Sequence, residues 1–232
     1  YDGASVSDGT LLLSQAGSGV YPVNEIIADP TGNNKFSVSM WFKDLADRST
    51  RQDWMQFLAD HPFKPAGSEN GTGHGNFMAA IFTNDELGAY DEVAQTWVST
   101  GFQMLPANYT GWHHLAIVHN NGVNTFYVDG VQAGVPVTFN PTDRIQVCGS
   151  YEITNLGIDP NTGQHLGTVD PQNSPAAAFD NIRVYSGLLS ASEISDLYTQ
   201  EGPPTLETGL IAKFDLDTAT ESIGGHVGVL GY

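Results

Sequence analysis

GWHHLAIVHNNGVNTFYVDGVQAG, residues 111–134, is the stretch that decides the fold. Its first half alternates: Trp112, His114, Ala116 and Val118 share one side, and His113, Leu115, Ile117 and His119 the other. Apolar residues on both sides predict a strand covered on both faces, inside a layered structure. Asn121-Gly122 supplies the positive φ that a tight hairpin needs, so the chain reverses there. Residues 124–128 run back in β-forming residues, and Asp129-Gly130 turns the chain again.

Outward from this hairpin, the pattern predicts strands over residues 11–13, 36–43, 53–59, 77–83, 97–104, 135–139 and 145–150. In FSVSMWFK, residues 36–43, Phe36, Val38, Met40 and Phe42 face one way. Ser37, Ser39 and Trp41 face the other, a side expected to be partly open. Residues 60–76, 84–95 and 151–175 read as long polar loops, and loops of that length are often functional. Near the end, Phe179 and Ile182 stand three apart while Ile182 and Val184 stand two apart, which predicts a bulge at Asp180-Asn181. Ser190 followed three residues later by Glu193 forms a capping box and predicts a helix over residues 192–198.

The opening quotation resembles the central signature of the laminin-G-like domains, in which a W-H-H-hydrophobic strand leads through a hairpin to a Y-V-D-G turn. FDNIRVYSGLLSASEISDLY, residues 179–198, is similar to that family's closing strand and the short L-S-x-x-E-I helix after it. FSVSMWFK resembles its F-T-I-S-x-W-V strand. The resemblance implies an all-β fold: a two-sheet antiparallel jelly-roll sandwich of the concanavalin A-like kind, with one short helix near the C-terminus, filling residues 1–232 as a single domain. ETGLIAKFDLD, residues 207–217, resembles the family's opening strand, which normally comes first. Here that strand stands within residues 208–232, so it either completes this sandwich as a permuted strand or begins a tandem repeat.

Composition narrows the partners. Eight Lys and Arg against 26 Asp and Glu give a net charge of −18, which repels nucleic acid and anionic membrane surfaces. Such a balance suits a salty or calcium-rich medium, and it also suits local cation binding. The one cysteine, Cys148, excludes an intrachain disulfide and reads as a small buried filler. No apolar run has the length of a membrane-spanning helix. The chain opens on Tyr1 without Met or leader, as expected of a processed chain or an excised domain. A secreted or cell-surface location follows as the expectation.

For chemistry, glycosidases of the resembled fold carry E-x-D-x-x-E on one strand, and no such run occurs here. A lyase would need a His or Tyr base beside cations, yet Arg is scarce, and His113 and His114 fall at the family's structural positions. Relatives hold a structural calcium where the closing and opening strands meet. The resemblance places Asp180 there, with Asp215 or Asp217 and backbone carbonyls completing six to eight oxygens. Sugar recognition asks for aromatic rings beside amides, carboxylates and often a cation. Trp54, His61, His74, Tyr90, Asp91, Trp97 and Tyr151, in or beside the long loops, are the candidate ligand-binding residues. The sequence therefore points to a non-catalytic, calcium-stabilised module that binds a glycan or a cell-surface protein within a larger multidomain chain. The calcium can also serve the ligand site. A polysaccharide-cleaving enzyme with a site on the loop rim and a spacer without a ligand are the alternatives.

Overall fold

The computed structural model describes residues 4–7, 10–13, 20–22, 26–27, 32–45, 55–60, 76–91, 94–139, 144–147, 157–158, 165–166, 178–199, 209–214 and 228–230. In chain order these form β1 (Ala4–Ser7), β2 (Thr10–Leu13), β3 (Val20–Pro22), β4 (Ile26–Ile27), β5 (Lys35–Lys43), β6 (Met55–Asp60), β7 (Asn76–Ile81), β8 (Glu86–Asp91) and β9 (Thr96–Gln103). A 3-10 turn at Pro106–Asn108 leads to β10 (Trp112–Asn120), β11 (Val123–Val128), β12 (Val131–Gln132), β13 (Val137–Thr138), β14 (Arg144–Val147), β15 (Gly157–Ile158) and β16 (His165–Leu166). β17 (Ala178–Tyr185), helix α1 (Ala191–Thr199), β18 (Leu210–Phe214) and β19 (Gly228–Leu230) complete the described elements.

The strands make a two-sheet antiparallel jelly-roll sandwich. One sheet runs β1-β2-β17-β5-β10-β11-β12, with β13 on β11 and β18 on β17. The other runs β19-β3-β14-β6-β7-β8-β9, with β4 on β14. β15 and β16 pair separately. Between the main sheets Phe36, Val38, Met40 and Phe42 of β5 join Leu115, Ile117 and Phe126 against Phe57, Leu58, Ile81, Leu87 and Ala89. The rings of Phe42 and Phe57 meet edge-on with centroids 5.1 Å apart, and Phe179, the cross-strand partner of Phe42, also meets Phe57 edge-on at 6.3 Å.

The central hairpin forms as its sequence dictates. Asn121 and Gly122 take φ values of 51° and 86°, and β10 pairs with β11 from Asn120↔Val123 to Leu115↔Val128. The outer face of β10 is also covered. Ala116, Tyr185 and Leu189 pack under Ile194 and Leu197 of α1. That cover corrects one expectation: Ser37 and Ser39, read as lying on a partly open face, are 0% exposed. The Ser37 hydroxyl donates to the Gly187 carbonyl (2.8 Å) and accepts the Leu189 N–H (3.0 Å), fixing the chain as it turns into the helix. There the capping box closes: Glu193 Oε2 accepts the Ser190 N–H (2.7 Å), and Ser190 Oγ accepts the Glu193 N–H (3.3 Å).

Asp129 ties these parts together. Its Oδ2 lies 2.8 Å from His113 Nδ1, its Oδ1 accepts the His114 N–H (2.9 Å), and its own N–H donates to the His114 carbonyl (2.9 Å). Next to it Gly130 has φ +77°, and a Cβ there would stand 3.1 Å from Tyr198 Cδ1. Glycine is what lets the turn and the helix touch.

Two further differences concern elements. Residues 84–95, read as a loop, contain β8, because Leu87 and Ala89 face the core while Glu86, Gly88 and Tyr90 alternate outward. Residues 135–139, read as a strand, keep only the two-residue β13. The predicted bulge is present: pairing of β17 with β5 passes from Asp180↔Trp41 to Arg183↔Ser39, and Asn181 takes φ 49°. β18 pairs with β17 and β19 with β3, so described C-terminal strands lie in both sheets. Cys148 lies outside the described residues. Among the described residues no helix is long and apolar enough to cross a membrane.

Candidate functional site

β8 and β9 close one end of the second sheet. Leu87, Ala89, Val98 and Phe102 contribute to the core, so alternation turns Glu86, Gly88, Tyr90, Trp97, Ser99 and Gln103 to the outer face. The hairpin before β8 is tight: Asp85 adopts φ 66°, its N–H donates to the Phe82 carbonyl (2.9 Å), and the Phe82 N–H donates to the Glu86 carbonyl (3.0 Å). Asn84 Oδ1 accepts the Glu86 N–H at 3.1 Å, the side-chain turn that asparagine favours.

Across the two strands Tyr90 stands opposite Trp97. The Trp97 ring stacks on Phe82 with centroids 4.5 Å apart and planes 21° from parallel. Its indole N–H is buried and has no hydrogen-bond partner among the described residues. Towards the other end, Glu86 Oε2 accepts from Ser99 Oγ (2.5 Å) and Oε1 from Gln103 Nε2 (3.3 Å). The Ser99 hydroxyl first and then the Asn84 side chain, with a lesser part from Gln103, hold the Glu86 carboxyl below the usual carboxylate range, against the opposing effect of burial. Ser99 Oγ also accepts the Gly101 N–H (2.9 Å), so its proton is committed to Glu86. The face thus combines half-buried aromatic rings with an ionised carboxylate and an exposed amide.

Of the residues expected to bind ligand, Tyr90 and Trp97 come together here. Asp91 ends the same strand opposite Thr96, and its Oδ1 accepts the Ala94 N–H (2.9 Å), a turn-forming contact. Trp54, His61, His74 and Tyr151 lie outside the described residues. Phe82, Glu86, Ser99 and Gln103 were not among the expected site residues. The period-two pattern of TWVSTGFQ in β9 carries the signal for Ser99 and Gln103, since it sets them on the Trp97 side.

The expected metal position lies on the other sheet. Asp180, half-buried at the bulge, accepts the Asn181 N–H on Oδ1 (2.6 Å), and Asn181 Oδ1 accepts from the Arg183 guanidinium (3.0 Å). β18 ends at Phe214 opposite Ile182, beside the bulge. A carboxylate next to irregular backbone offers the hard oxygen donors that calcium takes. Asp215 and Asp217 lie outside the described residues, and among the described residues no three His, Cys, Asp or Glu side chains gather to hold a metal.

Solved structures share this fold. A SAP-like pentraxin from Limulus polyphemus matches over 93% of this chain and 87% of its own, at 12% identity and a TM-score of 0.53. A Trypanosoma rangeli sialidase matches over 84% of this chain at 16% identity and a TM-score of 0.53. The matched part is 28% of the sialidase. A proposed carbohydrate-binding protein from Bacteroides ovatus matches over 93% of this chain and 58% of its own, at 13% identity and a TM-score of 0.53. No curated protein matches the sequence. The family model described as the concanavalin A-like lectin/glucanases superfamily matches residues 16–195, and the chain belongs to that family.

Proposed function

We propose that this chain is a non-catalytic extracellular module that binds a glycan on the outer face of β8 and β9, with calcium stabilising the fold at the Asp180 bulge. The register pair of Tyr90 and Trp97 supports this most directly. Ring faces take the apolar side of a pyranose, while Glu86 and Gln103 on the same face can accept from and donate to its hydroxyls. A proposed carbohydrate-binding protein and a sialidase among the structural neighbours accord with a glycan as the ligand class. For catalysis the spacing is unfavourable. Glu86 and Asp91 stand five residues apart on one extended strand, roughly 17 Å at about 3.4 Å per residue. Paired glycosidase carboxylates need about 5 to 9.5 Å.

Calorimetric titration with cello-, manno-, galacto-, xylo- and chito-oligosaccharides tests the reading. Tyr90→Ala and Trp97→Ala should each weaken the best binder by about tenfold or more, equivalent to about 1.4 kcal/mol. Because Trp97 also stacks on Phe82, the variant's melt is recorded, and Tyr90→Ala stands as the independent variant. Absence of binding across the panel would overturn the binding reading. Release of new reducing ends would replace it with catalysis.

A further inference from the structure

We infer that the β8–β9 face selects glycans without negative charge, uncharged or amine-bearing sugars over uronates and sialates, and that Glu86 sets this preference. This deepens the glycan-binding reading above and rests on it. The first observation is where the cations are. Among the described residues Lys35 and Lys43 lie on β5, Arg183 on β17 and Lys213 on β18, all in the first sheet. Arg144 is on β14, which β6 and β7 separate from β8. The described part of β7, β8, β9 and their turns therefore carries no Lys or Arg. Recognition of a sugar carboxylate ordinarily relies on the charge-assisted, often bidentate hydrogen bonds that such residues give.

The second observation is the direction of the hydrogen bonds. Glu86 is an acceptor, and each oxygen already receives one donor, from Ser99 and from Gln103. A carboxylate keeps further lone-pair capacity, which suits a sugar hydroxyl or an ammonium group. It has no proton to offer a ligand carboxylate. Ser99 cannot supply one either, since its proton goes to Glu86, and the Trp97 N–H is shut away from solvent. Asp85 and Asp91 bracket β8 in sequence, and the chain as a whole carries −18. A uronate on this face would meet like charge with few compensating donors. The hydrogen bonds that hold Glu86 ionised keep this discrimination in force into mildly acidic conditions.

The test uses matched ligands: cello-, manno- and galacto-oligosaccharides, each beside its C6-oxidised uronate counterpart, with a glucosamine oligomer as the cationic arm. At low salt the uronate of a bound pair should be weaker by about tenfold or more. The gap should narrow in 0.5 M NaCl, where the screening length falls to a few ångströms. The glucosamine oligomer should lose affinity over the same salt change. Glu86→Gln keeps the shape and removes the charge, and the readout is the ratio of the two affinities within a pair, which loss of general binding does not move. Closure of most of the gap in that variant is the expected result. Equal binding of neutral and uronate partners, or a ratio unmoved by Glu86→Gln, overturns the inference while leaving glycan binding intact. Failure of every oligomer to bind overturns both.

Discussion

The three histidines of β10 meet three different surroundings. His113 pairs with Asp129, and His119 sits between the side-chain oxygens of Asn124 and Asn34 at 2.8 and 2.9 Å. His114 is 0% exposed, tilts against the rings of Trp41 and Tyr198, and has no hydrogen-bond partner for either ring nitrogen among the described residues. Burial first pushes its pKa down to about 4; Asp129 opposes the shift and Arg183 adds to it. Below pH 6.5 the unfolded chain gains a proton that the folded chain does not, so stability is complete above that value. It falls as the pH drops towards 4, by about 3 kcal/mol over the whole interval. His114→Phe, which suits the ring-lined site, should remove this part of the pH dependence. Denaturant titrations of both proteins at pH 7.5 and 4.5 would measure it, and equal pH sensitivity would refute it. Alternation in the sequence assigns each histidine to a face. It says nothing of partners, because Asp129, Asn34, Trp41 and the Tyr198 of a helix far along the chain are brought in by the fold, which no local pattern specifies.

At the scale of elements, the motifs that make the fold readable converge on one place. The W-H-H strand, the Asp129-Gly130 turn, the capping box and Tyr198 all serve the docking of α1 on the first sheet. They are legible because each is a local rule: a turn needs positive φ, a helix start needs a cap. β8 lacks such a rule. Its outward Glu86 and Gly88 and its terminal Asp91 are poor strand formers, and what makes it a strand is pairing with β7 and β9. Gly88 shows how close that pairing is: a Cβ there would stand 2.2 Å from the Val98 carbonyl oxygen, which belongs to the β9 backbone. Gly88→Ala must therefore push the strands apart. We expect a loss of roughly 2 kcal/mol or more, in the range of backbone strain and overpacking, together with weaker glycan binding, because Tyr90 and Trp97 lose their register. Chemical denaturation and calorimetric titration of one variant check both parts. A protein that keeps its stability and its affinity would show that the sheet absorbs the methyl group without moving.

For the whole molecule the governing quantity is the charge of −18, whose self-repulsion any salt relieves. A bound calcium would act differently, stabilising the folded state by mass action at one place. The bulge at Asp180, with the end of β18 beside it, is where such an ion would bridge the closing strand and the C-terminal segment. Of that expectation the bulge is legible, because the broken alternation around Ile182 predicts it, while Asp215 and Asp217, the other expected donors, lie outside the described residues. Screening and site binding separate in a melt at fixed ionic strength. At free calcium about a hundredfold above the dissociation constant, the gain is about 2.7 kcal/mol, or roughly 5–10 °C for a chain of this size. Chelator should remove it, NaCl of equal ionic strength should not restore it, and Asp180→Asn should abolish the calcium-specific part while leaving the general response to salt. Identical midpoints in calcium and in matched NaCl would assign the whole effect to screening, and the acidic surface would then need no ion at Asp180.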